Sequence, residues 1–316
     1  MDAVAGSRFA ALFSALQLTV LQRDWLSSNN IIFLDPDGQG GAVVDTGYAT
    51  HAGQTVALID GVLGGVALTR ILNTHLHSDH CGGNQALQAR WPEVQTWVPQ
   101  AAFAKVRSWD QERLTYRLTG QRCEPFRVDQ ALRAGSDIAL GGRPWQVHAA
   151  GGHDPDAVVL FEPQSRVLIS GDALWRNKVA VIFPELDGEE GFEPALAALD
   201  LIEDLEPAVV IPGHGEPFDE VADALAISRR RLRALQAQPQ RHAQHALRVL
   251  MMFHLLEHRS RPTDALCSWM AESPMAQRPA VKSLMQLEPL PLARVILQSL
   301  IDDGIVQAQG DRVALA

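Results

Sequence analysis

Eleven consecutive residues, Thr74-His75-Leu76-His77-Ser78-Asp79-His80-Cys81-Gly82-Gly83-Asn84, place three imidazoles and a carboxylate in six positions behind the apolar run Val66 to Leu72. Only 11 of the 316 residues are histidine, so this string reads as a metal-binding loop and not as an ordinary polar turn. Its spacing has a mechanism. Side chains alternate along a strand, so His75 and His77 leave the strand end on the same side. Asp79 and His80 lie where the chain turns toward a helix near Asn84, and can face a second ion from the same loop.

If that loop binds metal, further ligands should come from other strand ends. Three downstream segments have this form. Gly151-Gly152-His153 follows the apolar run Pro144 to Ala149, Ser170-Gly171-Asp172 follows Arg166 to Ile169, and Pro212-Gly213-His214-Gly215 follows Ala208 to Ile211. Each offers one His or Asp beside glycines that let the backbone turn tightly. Upstream, Ala42-Val43-Val44 runs into Asp45-Thr46-Gly47.

These residues, in this order, resemble the five motifs of the metallo-β-lactamase fold superfamily. The resemblance spans residues 17 to about 218 and implies an α+β fold, an αββα four-layer sandwich with metals at the sheet edges. It implies that His75, His77 and His153 hold one metal, that Asp79, His80 and His214 hold a second, and that Asp172 bridges the two. Asp45 would stand behind the ligands and orient an imidazole. Two Zn suit this His and carboxylate set first, and Fe and Mn are compatible with it. Two ions about 3.5 to 4 Å apart lower the pKa of a shared water to about 7. The expected enzyme is therefore a metal-dependent hydrolase directing a metal-activated hydroxide at a thioester, ester or lactone carbonyl, with Asp79 aiming it. The core is similar to that of the hydroxyacylglutathione hydrolases.

One motif departs from the superfamily pattern. Where many of its hydrolases read His-Thr-Pro-Gly-His, this chain reads His153-Asp154-Pro155-Asp156, which keeps the ligand and alters the wall beside it. After the Asp172 motif, Trp175, Arg176 and Lys178 are candidate contacts to an anionic small-molecule substrate, a carboxylate or a phosphate. Cys81 adjoins the cluster outside the motif positions and reads as a small residue packed under the loop.

Around these motifs the chain reads as strands at Ile31 to Leu34 and Ala42 to Val44 about a turn-rich Asp35 to Gly40. A helix follows over Thr50 to Leu63, then a longer one over Gln100 to Leu118 and a strand over Phe126 to Leu132. Helices are also expected over Glu193 to Leu205 and Asp219 to Gln236. Beyond Pro239 the pattern changes. Helices over His242 to Glu257, Pro262 to Glu272 and Pro291 to Asp303 precede a hairpin about Gln309-Gly310-Asp311. This tail resembles a winged-helix domain. The organisation read from the sequence is thus a catalytic domain over 1–225, a connecting helix end and linker over 226–240, and a winged-helix-like domain over 241–316.

The formal charge of −10 opposes general binding to nucleic acid or anionic membranes. It divides unevenly, roughly −15 over residues 1–225 and +5 over 226–316. The positive tail, and the likeness of its winged helix to one found in certain superfamily endoribonucleases, support a single-stranded RNA endonuclease as the alternative. A ligand sensor with a DNA-binding winged helix is a further one. Against both, the third helix offers Arg294 beside Asp302 and Asp303, which favours packing or homodimer formation over nucleic-acid contact. Three scattered cysteines, no signal peptide and no apolar stretch of membrane-spanning length fit a cytoplasmic protein.

Overall fold

The computed structural model describes residues 8–316. Residues 1–7, where the expected catalytic domain and the signal-peptide reading begin, lie outside the described residues.

Two sheets face each other. The first, in the order β1 to β6, comprises β1 (Leu18–Leu21), β2 (Asn30–Leu34), β3 (Gly41–Val44), β4 (Leu68–Leu72), β5 (Gln95–Pro99) and β6 (Gln130–Leu132). Its first three strands are antiparallel and β3 to β6 run parallel. The second, in the order β11 to β7, comprises β7 (Asp137–Leu140), β8 (Arg143–Ala149), β9 (Val158–Glu162), β10 (Val167–Gly171) and β11 (Val209–Pro212), with only β10 and β11 parallel.

Strand alternation explains the layers. Ile31 and Phe33 of β2, Val44 of β3 and Leu72 of β4 point between the sheets, where they meet Trp145, Val158, Leu160 and Ile169. Their neighbours Ile32, Val43 and Ile71 point outward onto Ile59, Leu63 and Leu87, on the helices Ala52–Leu63 and Asn84–Arg90. On the second sheet, Val159 and Phe161 point outward onto the helices Phe192–Leu205 and Val221–Gln236. Each such side chain, fully buried, contributes about 1.5–3 kcal/mol. The result is helix, sheet, sheet, helix.

Three local expectations are corrected. No single helix spans Gln100 to Leu118; short helices Phe103–Arg107 and Tyr116–Thr119 stand there instead. Asp110 Oδ1 accepts from the backbone N–H groups of Glu112 and Arg113, and Trp109 and Thr115 take positive φ. A side chain that captures nearby N–H groups competes with the helix. The strand expected from Phe126 shrinks to Gln130–Leu132, because both backbone groups of Arg127 are bonded to the Gln88 side chain. In the tail, the third expected helix is observed at Pro289–Asp302, and two further short helices, Pro274–Gln277 and Pro279–Met285, precede it, each opening on a proline.

The tail otherwise follows as a helix Pro239–His258, a strand β12 (Ser260–Pro262), a helix Thr263–Glu272, and the hairpin β13 (Val306–Gln309) and β14 (Arg312–Leu315). β12 pairs with β14, so the small sheet has the order β12-β14-β13. Its core, around Leu247, Met251, Met270, Ile296 and Leu300, also takes in Val181, Phe183 and Leu186 from the segment after β10. Among the described residues, no helix is long and apolar enough to cross a membrane.

Candidate metal centre

The ends of β3, β4, β10 and β11 and the loop after β8 converge on one place. Asp45 follows β3, and His75 and His77 follow β4. A helical turn, Ser78–Cys81, then carries Asp79 and His80. His153 lies in the loop between β8 and β9, while Asp172 and His214 follow β10 and β11. Close approach of the last two loops requires Gly213, where a Cβ would collide with Asp172 Oδ1 and the His80 ring.

All seven candidate ligands are brought together. Three overlapping groups could each hold a metal ion: His75, His77 and His153; His75, His80 and Asp172; and Asp79, His80 and His214, with the ligand atoms of each group within 4.8 Å of one another. Asp172 reaches both ends of the cluster. Its Oδ2 is 3.5 Å from His153 Nε2, and its Oδ1 is 3.3 Å from His80 Nε2 and 3.9 Å from His214 Nε2. Asp79 Oδ2 lies 3.2 Å from His214 Nε2.

Hydrogen bonds at the back of the rings fix which nitrogen faces inward. His153 Nδ1 donates to the Val181 carbonyl, which leaves Nε2 to face His77 Nδ1 at 2.7 Å. His80 Nδ1 donates to Asp45 Oδ2 at 2.8 Å. His75 Nδ1 donates to Thr74 Oγ1, and that hydroxyl donates to the same Asp45 oxygen. Asp45 therefore orients one imidazole directly and another through Thr74, the arrangement by which carboxylates set the tautomer of metal-binding histidines. His75 Nε2 and His80 Nε2 are left buried with no hydrogen-bond partner among the described residues. Burying such atoms unpaired is unfavourable, and a metal ion placed within the cluster would satisfy both. The donor set fits the group that the sequence implied.

Charge follows the same geometry. Burial, followed by the charges of His80 and His77, keeps the His75 pKa well below the ordinary imidazole value. Burial and the adjacent His77 lower His153 to about 4, and burial lowers His77 as well. His80 goes the other way: burial disfavours its charged form, but the carboxylates of Asp172, Asp45 and Asp79 outweigh burial and hold the pKa well above 6.5. Burial opposes charge on Asp172 too, yet His80 and His214 hold that carboxyl well below its usual range. Three imidazoles are thus neutral and ready as ligands.

Residues 24–214 match the family model described as "Metallo-beta-lactamase superfamily". The chain belongs to this superfamily. Among its relatives, a hydroxyacylglutathione hydrolase from Synechococcus sp. (strain JA-3-3Ab) is 31% identical over 192 residues, covering 60% of this chain and 65% of that protein. An acyl-coenzyme A thioesterase from Gallus gallus is 26% identical over 159 residues, covering 46% of this chain and 56% of that protein. The match thus spans less than two thirds of these relatives' lengths. Among solved structures of this superfamily fold, a beta-lactamase domain protein from Burkholderia ambifaria is similar with a TM-score of 0.55 at 24% identity, covering 94% of this chain and 92% of that one. A metallo-beta-lactamase family protein from Thermus thermophilus gives 0.54 at 20%, covering 95% and 98%. Both likenesses are of fold, and both extend past residue 214 into the tail.

The metallo-β-lactamase site opens into a cavity of about 950 Å³. Of the three residues expected to contact substrate, Trp175 and Lys178 line it, whereas Arg176 does not: it pairs with Glu220 at 2.7 Å on the exposed side. Trp175 Nε1 donates to Asp172 Oδ1 at 3.1 Å. The sequence reading missed Trp25, whose ring stacks on His214 with centroids 5.0 Å apart and carries Lys178 Nζ at 4.9 Å. It also missed the opposite wall, which comes from the helices Val221–Gln236 and Pro239–His258. Phe253 and Leu256 of the second helix lie outside the tail's core cluster yet line the cavity, and nothing in the sequence places them against the metal site. At the altered third motif, Asp154 Oδ2 stands 3.9 Å from His77 Nε2.

Proposed function

We propose that the protein is a dinuclear metal-dependent hydrolase acting on a carbonyl, a thioester first and an ester or lactone by the same chemistry. The observation that carries the reading is the position of Asp172, with one oxygen toward His153 and the other toward His80 and His214. A carboxylate so placed could serve both ions of a pair held by these residues. His75, His77 and His153 would hold one ion, and Asp79, His80 and His214 the other. Zn is the first candidate for this donor set, with Fe and Mn compatible. When bound, the pair supplies an activated water at neutral pH and polarises the carbonyl.

The remaining work falls to the chain. Asp79, which lines the cavity, accepts a hydrogen bond from the attacking water and aims it. Asp45 and Thr74 hold His80 and His75 in register. In the reaction a C–O bond forms to water and the C–S bond breaks; the proton lost by water passes through Asp79 to the leaving sulfur, giving an acid and a thiol. The hydrolase relatives support a thioester, since hydroxyacylglutathione and acyl-coenzyme A are both thioesters.

The tail's element order, helix, strand, helices, then a hairpin pairing back to the first strand, supports a winged-helix-like unit over 241–316 following a catalytic domain over 1–225. Three of its arginines are engaged by carboxylates. Arg248 pairs with Asp303 at 2.6 Å, Arg278 with Asp187 at 2.6 Å, and Arg294 lies 3.8 Å from Asp264. This supports a wall of the active site over a nucleic-acid surface. A hydrolysis panel of thioesters, lactones, a phosphodiester and single-stranded RNA, each with Zn, Mn or Fe, tests the reading. Thioester turnover dependent on metal is expected; cleavage of RNA alone would refute it.

A further inference from the structure

One helix face in the cavity grades from cationic to apolar. On Pro239–His258, the residues Arg241, His245, Val249, Met252, Phe253 and Leu256 all line the cavity that holds the metal-site side chains. Their spacing of three and four places them on a single face. Arg231, from the preceding helix, joins the cationic end. Among the described residues neither Arg231 nor Arg241 has a carboxylate in ion-pair range, although Arg229, two positions away, is held by Asp200 and Glu203 at 2.7 Å. Their charges reach the cavity: after burial, Arg248, Arg231 and Arg241 lower the His245 pKa. The wall is fixed to the catalytic body by Tyr48, which donates to Glu257 at 3.1 Å and packs edge-on against Phe253.

A polar substrate as small as a hydroxyacyl thioester leaves the apolar stretch unused. Val249 to Leu256 spans about 10 Å at 1.5 Å per residue. An extended alkyl chain with bonds of about 1.5 Å advances about 1.25 Å per carbon, so roughly eight carbons fill that stretch. Resting on the thioesterase reading above, we infer that the substrate joins an aliphatic acyl chain of about eight carbons to an anionic carrier. Val249, Met252, Phe253 and Leu256 form the acyl subsite, and Arg231 and Arg241 hold the carrier's phosphate or carboxylate. The tail, together with Arg231 of the helix before it, then selects substrate.

The test separates binding from turnover. Non-hydrolysable S-alkyl thioethers of coenzyme A are titrated into metal-loaded protein by calorimetry, and acyl thioesters of coenzyme A and of neutral N-acetylcysteamine are assayed over two to twelve carbons. Burying a methylene strengthens binding about three- to fourfold, so S-octyl-coenzyme A is expected to bind at least a hundredfold more tightly than S-ethyl-coenzyme A. The gain should level off beyond about eight carbons. Val249→Trp should reduce that octyl-to-ethyl ratio at least tenfold. Arg231→Ala with Arg241→Ala should reduce the preference for coenzyme A over N-acetylcysteamine thioesters by a similar factor, with melting curves confirming folded variants. Equal binding of the ethyl and octyl probes overturns the acyl subsite whatever the turnover. Tight octyl binding without hydrolysis of any thioester upholds the subsite and refutes the thioesterase reading.

Discussion

Asp45→Asn is the substitution that most directly tests how the metal loop is held. Asp45 is buried and accepts three hydrogen bonds, from Thr74 N at 2.9 Å, Thr74 Oγ1 at 2.8 Å and His80 Nδ1 at 2.8 Å. Asparagine has the same shape and tolerates the positive φ of 59° at this position better than most residues, so backbone strain does not enter. Its single carbonyl oxygen can replace Oδ2, which serves two of the bonds. The amide nitrogen then faces the Thr74 N–H, donor against donor. One buried donor left unpaired costs about 1–3 kcal/mol, and loss of the charge on the other two bonds costs about 1 kcal/mol each. The sum is about 3–5 kcal/mol. At an unfolding entropy of about 2 cal/mol/K per residue, that lowers Tm by roughly 5–8 °C.

The effect on metal should exceed the effect on the fold. Both His80 and, through Thr74, His75 lose their orienting acceptor, and such losses weaken metal binding about 10- to 100-fold. Chelator competition on protein titrated with Zn measures this, with scanning calorimetry on the same samples. Thr74→Val cuts only the His75 branch and should give the smaller loss of the two. A variant that melts lower yet binds metal within twofold of the parent would refute the orienting role and leave Asp45 as a structural residue.

Asp79→Ala should reduce turnover by about 10²- to 10⁴-fold with far-UV circular dichroism unchanged; activity near the parent's would remove Asp79 from the reaction. His77→Ala should likewise abolish turnover in a folded protein. Metal-free protein should release a proton when Zn binds at pH 7, because His80 is held protonated by Asp172, Asp45 and Asp79 while burial keeps His75, His77 and His153 neutral. Calorimetry in buffers of different ionisation enthalpy counts that proton, and zero release would contradict the assignment. The stability of the metal-free protein should fall on both sides. The His80 contribution is complete below about pH 6.5 and lost as pH rises through its raised value. The His153 contribution is complete above about pH 6.5 and lost as pH falls toward about 4. Residues 241–316, in the whole chain, should show no salt-sensitive binding to duplex DNA in a fluorescence titration, since Arg248, Arg278 and Arg294 are engaged by carboxylates and Arg241 lines the cavity.

What could be read from the sequence was the part written at strand ends. Apolar runs stop at candidate ligand residues with glycines beside them, whereas Ile31, Ile32 and Phe33, all apolar, do not by themselves tell the inner face from the outer. The convergence of Asp45, His75 and His80 needs only that those strands lie side by side in one sheet. Where side chains compete with backbone, reading failed. Asp110 breaks a stretch whose composition suits a helix, and Gln88, thirty-nine residues away, takes the backbone of Arg127 out of its strand. Arg176 failed for a related reason, because its partner Glu220 lies forty-four residues on and no local pattern couples them.

The cavity wall shows the same limit at larger scale. Ala243, Leu247, Leu250 and Met251 bury one face of Pro239–His258 in the tail's own core, and that face alone accounts for an amphipathic helix. The second face has meaning only once the helix lies against the metal site. The link is the segment after Asp172. The Val181 carbonyl accepts from His153 Nδ1, while the Val181 side chain sits in the tail's core with Phe183 and Leu186. One residue thus sets the tautomer of a candidate ligand and is itself positioned by packing against the tail. The boundary that charge and composition draw near residue 225 therefore does not divide the site: the candidate ligands come from one side of it, and the residues that shape the pocket come from both.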